Sequence, residues 1–238
     1  MSKPLSGRIN QWDQPIGAAV PGWSERPRPQ RRALPGRYCR LEPVEVKQHA
    51  ADLFDAYREA PDDRDWTYLF AERPATAALF SEYLARLAIS EDPLHFAIVD
   101  ESTAKAVGTA ALMRIDPVHG VIEVGSIAYS PRLKRTRVGT EAMYLLMRLV
   151  FDQLGFRRYE WKCDSLNAAS RQAAGRYGFT FEGIFRHAIV YKVRSRDTAW
   201  FSIIAEEWPS IRSAFEAWLH PENFDDAGHQ RRRLSIAP

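Results

Sequence analysis

The order in which hydrophobic patterns change along the chain predicts an α/β (α+β) fold with a largely antiparallel central sheet flanked by helices. Three observations carry that prediction. Helical stripes alternate with strand-like runs in the order strand, two helices, three strands, helix, strand, helix, two strands, closing helix. Residues 120–129 are apolar at nearly every position, as in a strand covered on both faces. Two pairs of neighbouring strands are joined only by turn-like segments, at 100–105 and 194–197, and no internal repeat competes with a single sheet.

Residues 1–34 lack hydrophobic periodicity and carry Pro4, Pro15, Pro21, Pro27 and Pro29 among arginines, so they read as a flexible arm. Trp12 and Trp23 are candidate anchors of that arm on the domain or on a partner subunit. The domain then spans 35–219. A short strand at 37–43 precedes a helix marked by Val46, Ala50, Leu53, Phe54 and Tyr57. Ala77, Phe80, Leu84 and Leu87 mark a second helix after Pro74. Strands follow at 95–100, 106–115 and 120–129, the last ended by Pro131. Ala142, Leu145, Leu146, Leu149, Val150 and Leu154 form the stripe of a third helix running to Gly155. A strand at 158–163 leads to a helix over 167–177, stopped by Gly178. Two long strands, 180–193 and 198–206, flank the turn 194–197. Ile211, Phe215 and Leu219 mark the closing helix, and 220–238 reads as a polar tail.

With 45% hydrophobic residues the 238-residue chain can build one sizeable core. A net charge of +3 from 33 basic and 30 acidic residues argues against nucleic acid as a partner. The basic clusters Arg26, Arg28, Arg31, Arg32 and Arg231, Arg232, Arg233 read as solvated tails. Cys39 and Cys163 have no CxxC or Cys/His spacing, which excludes a disulfide framework and offers no metal site; a cytoplasmic protein is the expectation. There is no apolar leader, and no 18-residue apolar run to cross a membrane.

Two segments carry chemistry. In the first, a buried strand is followed by Lys134, Arg135 and Arg137 and then by Val138-Gly139-Thr140 opening a helix. Helix N-termini bind phosphate through unpaired amides, and Gly139 leaves the backbone open to a ligand. By itself this segment fits a solvated basic loop equally well. In the second, Asn167 and Ser170 precede Gly178-Phe179 and a strand. Taken with Glu123-Val124-Gly125, Gly139-Thr140-Glu141-Ala142 and Asp197, these pieces resemble, over about residues 35–208, the GNAT superfamily of acetyl-coenzyme A-dependent N-acyltransferases. The ribosomal-protein N-acetyltransferase (RimJ/RimL-like) branch is the most similar.

The resemblance implies a sheet splayed at its central strands and acetyl-CoA as co-substrate. Lys134, Arg135, Arg137 and the amides of Val138, Gly139 and Thr140 would hold the pyrophosphate. The pantetheine arm would pair with backbone at Ile127, Ala128 and Tyr129 and bond to Asn167. The phosphate-loop pattern departs from the family's at its first glycine, where Arg137 stands, and at its leading Gln/Arg, where Lys134 stands. The family's frequent homodimers make a homodimer a candidate assembly.

Amine attack on a thioester needs a neutral amine, oxyanion donors and a proton for the thiolate. Glu123, a carboxylate on an apolar strand, is the candidate general base, desolvation raising its pKa; a strand-edge ion pair with an arginine is its bland alternative. The oxyanion donor is a backbone N–H near Ile127 or Ala128. The family's common tyrosine position is Ala174 here, so Ser170 is the candidate proton donor, and Tyr177 is read as core. His187 and Tyr191 share a strand face by the period-two rule, Cys163 reads as a buried hydrophobe, and Trp66, Tyr68 and Phe70 read as core or as a substrate wall. The acceptor is a primary amine, on a small molecule or a protein N-terminus. A non-catalytic acyl-CoA-sensing module is the competing function.

Overall fold

The computed structural model describes residues 7–226 and 228–236; residues 1–6 of the arm and 227 and 237–238 of the tail lie outside the described residues. Short strands β1 (Arg8–Ile9) and β2 (Pro15–Ile16) form an exposed hairpin. The main sheet then takes β3 (Leu34–Pro35), β4 (Cys39–Pro43), β5 (Leu94–Asp100), β6 (Lys105–Asp116), β7 (Val121–Tyr129), β8 (Arg158–Asp164), β10 (Arg194–Ile204) and, at its far edge, β9 (Thr180–Tyr191), in that spatial order. All pairs are antiparallel except β7 with β8. That parallel pair needs a crossover, supplied by α3 (Arg137–Arg148).

Helices cover both faces. α1 (Val46–Arg58) and α2 (Ala77–Ile89) pack through Leu53, Tyr57, Phe80 and Leu84 on one side. On the other lie α3, α4 (Ala168–Arg176) and α5 (Trp208–Leu219), with Leu146, Tyr159, Phe179 and Phe215 buried between them and the sheet. Each such fully buried side chain is worth about 1.5–3 kcal/mol. α2 starts at Thr76, whose Oγ1 accepts from the Leu79 amide at 3.2 Å, rather than directly at Pro74. Gly178, with φ of +89°, ends α4 as its position predicts.

Three expectations change. Residues 7–33 do not trail freely: Trp23 seats its ring where a Gly120 Cβ would stand and donates Nε1–H to the Val118 carbonyl at 2.9 Å, and the Arg26 amide donates to Pro117. Trp12 stays exposed. The tail also folds back, with Phe224 buried and Gln230 Oε1 accepting from Trp218 Nε1 at 2.9 Å. The last hairpin turns at Lys192–Val193, both with positive φ, rather than at 194–197. Positive φ at both central residues is the primed turn that suits strand twist, here without the usual Asn or Gly, so composition pointed past it.

Candidate active site

The parallel pairing of β7 and β8 covers four residues a side, Val121–Val124 against Arg158–Trp161. Beyond Val124 the strands diverge: β7 continues to Tyr129 paired only with β6, and β8 to Asp164 paired only with β10. A bulge drives the divergence. The β6–β7 register shifts between Ala111–Gly125 and Thr109–Ala128, and Ser126 takes a φ of +48°, a strained region for a residue with a Cβ. The result is a cleft of about 1890 Å³ through the middle of the sheet.

One side of the cleft is the turn from β7 into α3. Thr136 caps the helix, its Oγ1 accepting from the Gly139 amide at 3.1 Å, while its carbonyl takes the Thr140 amide at 3.3 Å. Among the described residues, the amides of Arg135, Thr136, Arg137 and Val138 are left without an acceptor. Four such amides at a helix N-terminus form a cradle for anions. Of the three expected amides, therefore, Val138 is free, whereas Gly139 and Thr140 are spent on the cap. Gly139 also has a packing role: a Cβ there would lie 2.8 Å from the Leu133 carbonyl and 3.0 Å from the Tyr129 ring, so the glycine lets α3 pack on β7. Tyr129 sits under the turn and donates its hydroxyl to the Gly139 carbonyl at 2.8 Å.

The cations divide. Lys134 is ion-paired with Asp65. Arg137 stacks over Tyr38, 4.5 Å from the ring centroid, and Arg135 is exposed beside it. Arg176, which the motifs did not flag, joins them: its Nη1 donates to Thr140 Oγ1 at 3.1 Å and its guanidinium lies over Trp218. Its spacing from Ala169 and Ala173, which line the cleft on the same side of α4, is the signal that could have found it.

Ile127, Ala128 and Tyr129 lie on the stretch of β7 that faces the gap, though the Ala128 carbonyl accepts from the Tyr57 hydroxyl at 2.9 Å. Asn167 caps α4, its Oδ1 accepting from the Ser170 amide at 3.0 Å, which leaves its Nδ2 as the donor toward the cleft. Ser170 Oγ accepts from Trp161 Nε1 at 2.9 Å. An indole N–H can only donate, so the Ser170 hydroxyl proton remains to be given elsewhere.

On the opposite face of β7 and β8 stands Glu123, buried, with Oε2 2.9 Å from Lys162 Nζ and 3.2 Å from Arg114 Nε. Neither contact is aligned as a hydrogen bond to that oxygen. Burial pushes the carboxyl above the usual carboxylate range; the Lys162 ammonium and Arg114 guanidinium pull against that without cancelling it. Lys162 is itself buried, bridges to Glu160 at 2.7 Å and lies over the Trp200 ring. The expected ion pair of Glu123 with an arginine is therefore present, with Lys162 as a second cation.

The segment 64–70 roofs the cleft. Its Trp66 and Thr67 carbonyls accept from Lys192 Nζ and Arg194 Nη2, both at 2.8 Å, and Tyr68 donates to the Leu166 carbonyl at 3.3 Å. Trp66 is core against Tyr57, while Tyr68 and Phe70 line the cleft. His187 and Tyr191 do not share a face, because a bulge opposite Asp197 interrupts the period. His187 lies outside the cleft, and Tyr191 is buried, donating to Asp164 at 2.9 Å. Cys163 is a buried thiol that desolvation keeps protonated. Tyr177 packs between Trp161 and Phe215.

A protein-family model described as an acetyltransferase (GNAT) domain matches residues 39–180. A crystal structure of a GCN5-related N-acetyltransferase from Brucella melitensis is 49% identical, covering 90% of this chain and 97% of that one, with a TM-score of 0.88. A probable acetyltransferase of the GNAT family from Chromobacterium violaceum is 37% identical over 82% of this chain and 98% of that one, with a TM-score of 0.75. Ribosomal-protein acetyltransferase structures, including one from Vibrio cholerae at 19% identity, 73% of this chain, 97% of that chain and a TM-score of 0.62, share the fold. A search of curated proteins finds no match. The chain belongs to the GNAT acetyltransferase family.

Proposed function

We propose that the protein transfers an acetyl group from acetyl-CoA to a primary amine by direct attack, with Glu123 as general base and Ser170 as proton donor. The observation that carries this reading is Glu123 itself: a buried carboxylate with a raised pKa, beside the splay and its strained bulge. The residues present fit acetyl-CoA, the co-substrate of the family, as a phosphate-bearing extended molecule. The amide cradle at 135–138 with Arg135, Arg137 and Arg176 suits its phosphates, and the stretch of β7 left open on its β8 side, with Asn167 Nδ2, suits its amide-containing arm. Acetyl-CoA supplies the activated acyl group. Backbone N–H groups at the Ser126–Ala128 bulge stabilise negative charge at the carbonyl oxygen, and Glu123 takes the amine proton, directly or through water. Ser170, whose oxygen accepts from Trp161 and whose proton is left to give, donates toward the thiolate.

The acceptor is a small amine or a protein N-terminus, the latter as in the ribosomal-protein acetyltransferases of the same fold. Two buried thiols suit the reducing cytoplasm. A homodimer fits the apolar Ile9 and Trp12 that the β1–β2 hairpin leaves exposed.

The test is thiol release from acetyl-CoA against amino acids, polyamines and N-terminal peptides. Release that depends on one acceptor class supports the enzyme. Tight cofactor binding with no release in any class favours the sensing module instead.

A further inference from the structure

Arg196, Thr198 and Trp200 stand at alternate positions of β10, so their side chains share one face of the strand. Across the ladder, Thr198 is opposite Asp164 and Trp200 is opposite Lys162. Glu123 pairs with Glu160, two positions before Lys162, so this is the Glu123 face of the sheet. It is the reverse of the face that meets α4 through Trp161 and Ser170. All three residues line the cleft, and in each a buried polar atom has no hydrogen-bond partner: Arg196 Nε, Thr198 Oγ1 and Trp200 Nε1.

Arg196 is 6% exposed and Thr198 3%. Among the described residues no carboxylate lies within ion-pair distance of the Arg196 guanidinium, which lies over the rings of Phe70 and Tyr191 at 5.6 and 5.9 Å. Asp164 accepts from the Leu166 amide at Oδ1 and from the Tyr191 hydroxyl at Oδ2. Asp197 belongs to the other face and accepts from the His187 amide. Lys162, the other cation here, is already matched by Glu123 and Glu160.

A guanidinium cannot shed its proton, and burying it without a counter-charge is costly. Guanidinium and indole N–H groups only donate. A row of donors with no protein acceptor calls for a ligand that brings anionic oxygen. Phosphate is already provided for on the far side of the sheet, at the 135–138 amides. Beside the row, Phe185 stacks on Trp200 with ring centroids 4.5 Å apart, an apolar wall suited to a hydrocarbon spacer.

We propose that Arg196, Thr198 and Trp200 form the recognition site for an anionic oxygen group on the acceptor, which is therefore an amine that also carries a carboxylate or phosphate. The term acceptor rests on the acetyl-transfer reading; the anion site does not.

Calorimetric titration of the full chain with ε-aminocaproate against n-hexylamine, and with phosphoethanolamine against ethylamine, tests it. The expectation is that at least one acid-bearing amine binds tenfold or more tightly than its acid-free partner, and the preferred pair separates carboxylate from phosphate. Arg196→Met should abolish that preference without lowering the melting temperature, because it removes an unmatched buried charge. Thr198→Val should weaken the preference and Arg196→Lys should keep part of it. Equal binding within both pairs by the wild type, or a preference that survives Arg196→Met, overturns the site. So does a melting temperature that falls in Arg196→Met, which would mark a structural arginine. Since the titration needs no turnover, an acid preference without acetyl transfer would retire the enzymatic reading and keep the anion site, and turnover without that preference would do the reverse.

Discussion

Between Arg135 and Thr140 the cleft presents backbone. Free amides face it, a threonine cap and a close-packed glycine hold them in place, and of the basic side chains nearby one is tied to Asp65. Between Glu123 and Trp200 it presents side chains: a carboxylate held against two cations, and an ammonium bridging two carboxylates beneath an indole ring. A backbone grip depends on chain path, and it survives most substitutions that keep the path. A side-chain site depends on identity at each position. The two halves should therefore fail differently when mutated.

The sharpest break is at Glu123. Replacing it with Gln should lower kcat/KM by about 10²–10⁴, the range for losing a general base, with the acetyl-CoA Kd unchanged in a binding titration. Next is Glu141, which belongs to the family motif yet lies outside the cleft. Its carboxylate accepts the amides of Arg37, Tyr38 and Cys39 at 2.9, 2.6 and 2.8 Å. Glu141→Ala should cost about 3 kcal/mol or more in denaturant unfolding, because three backbone donors, two part-buried and the Cys39 amide buried, lose a charged acceptor, while the folded fraction keeps its cofactor affinity. A smaller and more selective effect is expected at Arg137. Proline is tolerated at the first position of a helix, and Thr136 already has the extended backbone that precedes it. Arg137→Met removes charge alone, whereas Arg137→Pro removes charge and one amide. The second should bind acetyl-CoA about tenfold more weakly than the first, a hydrogen bond to a charged group being worth about 1.5–3 kcal/mol.

The gentlest test is Lys162→Met. Lys162 favours ionised Glu123, Arg114 helps it, and Glu160 opposes it. Without the ammonium the Glu123 pKa rises further. The base must be deprotonated to act, so the acid limb of kcat/KM should move to higher pH, and Lys162→Arg should restore it. An acid limb that stays in place would separate Lys162 from the chemistry.

The same contrast explains what could be read from sequence. Element order, the buried strand β7 and the helix opening at α3 follow from local periodicity and capping, so the fold and the turn into α3 were legible. The exact donors were not: whether Gly139 gives its amide to a ligand or to Thr136 is decided by cap geometry. Glu123 stood out as a charge in an apolar run, but its partners Lys162 and Arg114 come from neighbouring strands. Arg196 was hidden by the misplaced turn. Once the hairpin reverses at Lys192–Val193, that residue passes from an exposed loop onto the buried face of β10.

The most direct test of this division measures acetyl-CoA Kd and turnover at saturating acetyl-CoA in the same samples of Glu123→Gln and Arg137→Pro. The expected result is opposite splits: Glu123→Gln keeps the affinity and loses turnover, and Arg137→Pro loses affinity and keeps turnover. Equal loss of both quantities in both variants would contradict a cleft whose halves bind and react separately.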